Sequence, residues 1–173
     1  MSSRALAAIE TANLLLRPFT ATDAAALFRI MSDASSMQHT YVAPTIEHCS
    51  ARLGIYEAMR STLGFAPWVV RVGQNSEVIG WGGLSVDPDE PEWGLEVSYA
   101  FSPSAWGKGY ATELVKFSLY YAFGPLSALE VHAYVKPENI QSVRVLEKSG
   151  FSHLRYEPRL QRNHFLVRTP GAA

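Results

Sequence analysis

Residues 106–113 read WGKGYATE and lie between a segment with strand periodicity and a segment with helix periodicity. In the preceding segment, residues 95–101, apolar side chains alternate with small or polar ones, and Pro103 then interrupts the pattern. From Ala111 onward, apolar residues recur at helical spacing as far as Ala122. A helix start offers unpaired N–H groups and a partial positive charge, and glycines let an anion approach the backbone closely. The stretch therefore predicts a strand, a tight turn and a helix whose start binds a phosphate-bearing ligand.

Three kinds of phosphate-binding loop contain glycines at such a turn, and their spacing separates them. A Walker loop needs Ser or Thr directly after Gly-Lys, but here Gly109 follows Lys108. A dinucleotide-binding fingerprint needs a small residue where Thr112 stands. The third pattern, Gln/Arg-x-x-Gly-x-Gly/Ala, fits at Gly109 and Ala111 and departs at its first position, which is Trp106. This pattern is the pyrophosphate loop of the GNAT superfamily of acetyltransferases, which the stretch resembles. On this motif alone, a glycine-rich turn that binds no ligand remains an alternative interpretation.

A second motif follows the first. Residues 139–151 read NIQSVRVLEKSGF, which is similar to the second GNAT motif, Asn-x-x-Ser followed by a helix that ends in Glu-Lys-x-Gly-Phe. Asn139 is a candidate N-cap for this helix, and Gly150 stands where a left-handed C-cap is favoured. The apolar stripe of the helix consists of Ile140, Val143 and Leu146. Between the two motifs, residues 129–135 alternate as a strand does.

The resemblance extends toward the start of the chain. Residues 14–23, LLLRPFTATD, are similar to the first strand and helix start of the branch that contains the ribosomal-protein N-terminal acetyltransferases. Trp106 and the Tyr-Ala-Thr-Glu sequence of the loop fit the same branch. The resemblance covers residues 14–168 and implies a single N-acetyltransferase domain over residues 1–173. It implies an α/β GNAT fold with a mixed, mostly antiparallel sheet flanked by helices on both faces. The strand before the glycine loop and the next strand in the chain are expected to part there and admit the arm of the cofactor.

The same resemblance implies acetyl-CoA as co-substrate, and the spacing of the histidines predicts no metal. The residues that it implies for binding acetyl-CoA are Phe101, Trp106, Gly107, Lys108, Gly109, Tyr110, Ala111, Thr112 and Asn139. Of these, Lys108 is expected to face solvent. The five histidines show neither close helical pairing nor the accompanying Cys or Asp clusters that a zinc site displays.

The family reaction is direct attack of a neutral amine on the thioester of acetyl-CoA. It needs a base for the amine proton and a donor for the developing negative charge. Glu96 is the candidate base, because a carboxylate in a central strand is unfavourable to bury unless it is paired or functional; a paired or solvated glutamate remains the alternative. Ser142 is the candidate at the thioester, since the matching serine of the resembled branch lies close to the coenzyme sulfur; a serine that only stabilises the helix start is the alternative. Tyr99, Tyr110 and Tyr134 are further candidate proton donors, although aromatic residues in strands and helices more often belong to the core.

Composition agrees with an intracellular enzyme. The formal net charge of −1 gives no global attraction to nucleic acid or to anionic membranes. No apolar run approaches the ~20 residues of a transmembrane helix. The single cysteine, Cys49, excludes an internal disulfide framework and suits the reducing cytoplasm. The resemblance implies acetyl-CoA and an amine acceptor as partners, the composition predicts no nucleic acid and no membrane, and the chain is expected to be a monomer or a homodimer.

The acceptor is either a protein N-terminal α-amine or a small-molecule amine. The alternative from another class of protein is a CoA-binding sensor or interaction module without turnover. Trp93 lies beside the acidic loop of residues 87–92 and is the candidate for an acceptor cleft, whereas Trp68 and Trp81 are expected to fill the core.

The remaining segments are predicted to form the strands and helices that support this site. Strands are expected at 14–19, 66–72, 78–86, 154–156 and 164–168, helices over 23–31 and 46–62, and a hairpin turn at 73–76.

Overall fold

Eight strands form one sheet in the part of the chain that this computed structural model describes, residues 8–74 and 77–171. Neighbouring strands run antiparallel, except that β5 and β6 are parallel. The strand order is β1-β2-β3-β4-β5-β6-β8-β7. The strands are β1 (Ile9–Glu10), β2 (Leu14–Arg17), β3 (Trp68–Val72), β4 (Val78–Ser85), β5 (Glu96–Phe101), β6 (Glu130–Val135), β7 (Ser152–Glu157) and β8 (Arg162–Arg168).

The helices begin and end where the sequence supplies caps. They are α1 (Ala24–Met31), α2 (Ile46–Leu63), α3 (Tyr110–Phe123) and α4 (Ile140–Lys148). Ahead of α1, the Asp23 carboxylate accepts a hydrogen bond of 2.9 Å from the Thr20 N–H, as in a capping box. The Thr45 hydroxyl accepts from the His48 N–H at the start of α2, and Gly64 ends that helix with a left-handed φ of 83°.

Helices cover both faces of the sheet. On one face, α1 and α2 pack against β3 and β4 in a cluster that includes Leu27, Leu53, Val69 and Trp81. On the other face, α3 and α4 pack against the sheet in a cluster that includes Val97, Leu119, Val131, Leu146 and Phe165. Burying each such side chain contributes about 1.5–3 kcal/mol, so these two clusters hold the layers together. The predicted α/β architecture is confirmed, as are the core positions of Trp68 and Trp81.

The two parallel strands separate after a single register pair. Glu96 of β5 is paired with His132 of β6, where the His132 N–H donates to the Leu95 carbonyl at 2.8 Å. Along β4, in contrast, β5 stays paired from Glu96 to Phe101. The strand before the glycine loop therefore remains attached to β4 and leaves β6, which confirms the predicted parting.

Several predicted boundaries shift in the structure. The strand predicted over 14–19 ends at Arg17, because Pro18 has no N–H to continue the ladder. The last two strands are longer than predicted and form a hairpin, and β1 was not predicted. Ile140 was placed on the apolar stripe of α4 but is 53% exposed, since the helix meets the core through Val143 and Leu146 and its first residue lies beyond that contact. Of the turn predicted at 73–76, residues 75 and 76 lie outside the described residues.

Among the described residues, no helix is both long and apolar enough to cross a membrane.

Candidate active site

The glycine-rich loop presents the start of α3 to an open cleft. Gly107 and Gly109 adopt left-handed φ values of 72° and 81°, which side chains with a Cβ disfavour. The first helical hydrogen bond is donated by the Glu113 N–H to the Gly109 carbonyl at 3.0 Å. The N–H groups of residues 110–112 precede it and have no helical acceptor, as at every helix start. The loop therefore aims free donors and the positive end of the α3 dipole at one place.

Two side chains fix this loop to the sheet. Trp106 donates its indole N–H to the carbonyl of Phe101 at 3.0 Å, which ties the loop back to the end of β5. At the other end, the Glu113 carboxylate accepts hydrogen bonds from the Thr11 hydroxyl at 2.5 Å and from the Asn13 N–H at 2.7 Å. Trp106 thus has a structural reason to stand at the position where the loop departs from the family pattern.

The cleft encloses about 380 Å³ between the loop, the end of β5 and α4. The predicted residues that line it are Phe101, Trp106, Gly107, Gly109, Tyr110, Ala111, Thr112, Asn139 and Ser142. Lys108 is exposed and does not line the cleft, in agreement with its expected solvent-facing position. The structure thus brings the two sequence motifs to one site.

Further residues line the cleft that sequence reasoning missed. From the segment between α1 and α2 these are Ser36, Gln38, His39 and Thr40, and from α4 they are Gln141, Arg144, Val145 and Lys148. Arg144 and Lys148 are four residues apart on one helix, so this pair of cations on one face was detectable from the sequence. The segment before α2 carries no periodicity and no motif, so nothing in the sequence identified it.

The start of α4 places Ser142 in the first turn. The Asn139 side-chain oxygen accepts a hydrogen bond of 3.1 Å from the Ser142 N–H, which confirms the predicted N-cap. The Ser142 hydroxyl therefore stands at the positive end of the α4 dipole, where negative charge is stabilised.

Glu96 lies apart from the cleft, at the point where β5 and β6 are still paired. Its neighbour Val97 faces the core under α3, so the Glu96 carboxyl is on the opposite face of the sheet. Burial and the nearby charge of Asp87 raise the pKa of Glu96 to about 7. A hydrogen bond of 3.4 Å from the Ser85 hydroxyl and the positive charge of Arg162 partly oppose that rise in pKa. Glu96 and Ser142 thus lie on opposite faces, on either side of the gap between the strands.

A row of aromatic rings lies beyond Glu96. Trp93 contacts Tyr134 with ring centroids 5.6 Å apart, and Tyr134 stacks on His164 at 4.6 Å. A ring nitrogen of His164 is 2.9 Å from one of His132. Burial, followed by the charge of Glu96, raises the pKa of Tyr134. In residues 8–74 and 77–171, no three His, Cys, Asp or Glu side chains are grouped as a metal site needs.

Comparison with known proteins identifies the family. Residues 13–152 match the acetyltransferase (GNAT) domain family, and the chain belongs to it. The uncharacterized N-acetyltransferase p20 of Bacillus licheniformis is 30% identical over 143 residues, which are 82% of this chain and 80% of that protein. The expected acetyl-CoA-dependent N-acetyltransferase is thereby confirmed.

Solved structures agree with this fold. The ribosomal-protein-S5-alanine acetyltransferase of Vibrio fischeri has a TM-score of 0.71 at 18% identity, covering 96% of this chain and 98% of that chain. The aminoglycoside acetyltransferase AAC(6')-Ib in complex with ribostamycin and coenzyme A has a TM-score of 0.73 at 18% identity, covering 93% and 99%. The predicted likeness to the branch with ribosomal-protein acetyltransferases is confirmed at the level of fold.

Proposed function

We propose that this enzyme transfers the acetyl group of acetyl-CoA to a primary amine, with the two substrates meeting at the gap between β5 and β6. The observation that carries the proposal is the parting of these strands beyond the Glu96–His132 pair. A gap in a parallel pair leaves backbone groups of both strands without their ladder partners, and the amide-rich arm of acetyl-CoA can satisfy them. The coenzyme would enter from the α3 and α4 side, and the amine from the side of Glu96.

The coenzyme side supports this orientation. The free N–H groups of residues 110–112 suit the pyrophosphate, and the cations of Arg144 and Lys148 line the same cleft. With the pyrophosphate there, the arm would run past Asn139, and the thioester would lie toward Ser142. That hydroxyl would then donate to the negative charge that develops during attack.

The amine side supports Glu96 as the base. An ammonium group must lose a proton before its nitrogen can attack the thioester carbonyl. Because the pKa of Glu96 is raised to about 7, the carboxylate is basic enough to accept that proton near neutral pH, directly or through water. The neutral amine then attacks the thioester carbonyl, the carbon–sulfur bond breaks with its electron pair on sulfur, and the bonded nitrogen loses a second proton to solvent, which leaves the amide and the thiolate of coenzyme A.

For the acceptor, we propose a protein N-terminal α-amine or a small-molecule amine. Both find support among structural neighbours, one named for alanine acetylation of ribosomal protein S5 and the other bound to ribostamycin. We place the whole chain, residues 1–173, in one acetyltransferase domain, and the cytoplasm stays the expected location because of the single cysteine.

A panel of amines and peptides tests this function. Purified protein is incubated with acetyl-CoA and each acceptor, free thiol release is followed, and the product is identified by mass spectrometry. The expected result is one acetyl group added per thiol released, at the α-amine of peptides or at an amine of a small molecule. Glu10→Gln serves as a control, since this exposed carboxylate lies in β1, at the edge of the sheet far from β5 and β6. Tight binding of acetyl-CoA without amine-dependent thiol release would instead indicate a CoA-binding module.

A further inference from the structure

Tyr99 carries a polar group that the fold leaves without a partner. The residue lies in the middle of β5 and lines the cleft together with Asn139 and Ser142. Its ring packs beside Phe101, with ring centroids 6.3 Å apart. Its hydroxyl oxygen is buried, and within the described part of the chain it has no hydrogen-bond partner. Because an unpaired buried hydroxyl lowers stability, such a group calls for an explanation, and a ligand that completes the bond is one.

The nearby polar groups show where that hydroxyl points. Burial raises the pKa of Tyr99 to about 12, and the Ser142 hydroxyl opposes this rise in pKa, although the two groups do not meet hydrogen-bond geometry. Because Tyr99 lines the same cleft as Asn139 and Ser142, its buried hydroxyl lies on the side of the first turn of α4, at the positive end of that helix. Two hydroxyl donors and a helix start converge there from two different elements.

We propose that the Tyr99 hydroxyl is a second catalytic donor, which hydrogen-bonds the coenzyme sulfur alongside Ser142 as the thioester breaks. This inference rests on the proposed acetyl transfer. In that step the amine nitrogen forms a bond to the carbonyl carbon, and the carbon–sulfur bond breaks. The electron pair goes to sulfur, and the amine proton goes to Glu96 and then to solvent. Tyr99 keeps its own proton throughout and stabilises the thiolate by a charge-assisted hydrogen bond.

The substitution Tyr99→Phe tests this role because it removes only the hydroxyl. The ring contacts remain, and no hydrogen bond of the free protein is lost, so the melting temperature should stay the same or rise. The value of kcat should fall about 10- to 100-fold with little change in KM for acetyl-CoA. Tyr120→Phe is the matched control, since Tyr120 is 70% exposed on α3, and it should change neither quantity. Wild-type kcat in Tyr99→Phe, or a lower melting temperature that accounts for the loss, would overturn the proposal.

A second measurement does not depend on turnover. The thiol of bound coenzyme A is titrated by its thiolate absorbance in the wild type and in Tyr99→Phe. A donor beside the sulfur favours the thiolate, so the pKa of the bound thiol should be about one unit higher in the variant. Equal pKa values in the two proteins would overturn the role of Tyr99. If the wild type binds coenzyme A but acetylates no amine, the proposed function fails while this titration still decides the inference.

The double variant Tyr99→Phe/Ser142→Ala completes the test. If both hydroxyls act on the same sulfur, the combined loss in kcat should differ from the product of the two single losses. Strictly multiplicative effects would contradict a shared target.

Discussion

The two sides of β5 are built in different ways. On the coenzyme side, the cleft is formed largely by two continuous stretches, the glycine loop with the start of α3 and the start of α4. On the amine side, Glu96 interacts with Asp87 from the preceding loop and with Arg162 from β8, and the aromatic row joins β6 to β8. A ligand group shared by a family can be bound by local backbone geometry, which motifs encode. The amine side is assembled from distant segments, so it can vary between members without disturbing the coenzyme cleft.

The largest expected effect tests the amine side. Glu96→Gln keeps the shape of the side chain but cannot accept a proton, so kcat/KM should fall on the order of 10²-fold or more. In the wild type, kcat/KM should rise with pH as Glu96 loses its proton, with an apparent pKa of about 7, and this limb should vanish in the variant. Steady-state kinetics across pH measures both. A rise in KM with unchanged kcat would mean that Glu96 only attracts a cationic acceptor and does not act as the base.

On the coenzyme side, Ser142→Ala should lower kcat by up to about 10²-fold, because one donor to the developing charge is lost. Binding of acetyl-CoA should change little, since the N–H groups of α3 remain. Ser149→Ala, at the other end of α4, is the matched control, as its hydroxyl donates to the Val145 carbonyl. Wild-type turnover in Ser142→Ala would leave this serine with a structural role at the helix start.

The glycine loop offers a matched pair of variants. Gly109→Val should weaken acetyl-CoA binding by more than about tenfold, since Gly109 lines the cleft, where a side chain would take up ligand space, and its φ of 81° disfavours a Cβ. Gly150→Val carries the same backbone strain, with a φ of 94° and open space around a Cβ, but lies outside the cleft lining. Calorimetry should show near-normal binding in folded Gly150→Val. Equal affinities in the two variants would contradict the assignment of the loop.

The sequence predicted the coenzyme side of the site better than the amine side. The caps at Asn139 and Gly150 and the turn at Gly109 act through neighbours in the chain, so local rules were enough to find them. The raised pKa of Glu96 depends on the tertiary position of Asp87, and Ser36 to Thr40 reach the cleft only through the packing of α1 and α2. Local patterns carry no record of such contacts. The unpaired Tyr99 hydroxyl likewise appears only once α4 is in place.

Stability should also depend on Glu96. Its pKa is raised from about 4.5 in the unfolded chain to about 7, so the folded state binds the proton more tightly and the free energy of unfolding falls as pH rises through that interval. Glu96→Gln removes this penalty and should be more stable than the wild type by roughly 3 kcal/mol at about pH 8, with the difference fading near pH 4.5. Chemical denaturation at the two pH values measures it. A variant less stable than the wild type at both pH values would contradict the conclusion that burial disfavours the charged form of Glu96.

The smallest effect is expected at Lys108. Its side chain is exposed and outside the cleft lining, so Lys108→Ala should change the affinity for acetyl-CoA by no more than about twofold. Arg144→Ala, which removes a cation from the lining, should weaken binding more. Calorimetry at low and high salt compares the affinities of the two variants for acetyl-CoA. A larger loss in Lys108→Ala than in Arg144→Ala would mean that the phosphates lie on the outer side of the loop.

A crystal structure with coenzyme A tests the central claim most directly, because that claim is a position. The pyrophosphate should accept hydrogen bonds from the N–H groups of residues 110–112, the arm should lie between β5 and β6, and the sulfur should lie beside Ser142 on the side facing Glu96. Coenzyme A bound elsewhere, or bound with its arm outside the gap between the two strands, would contradict this account.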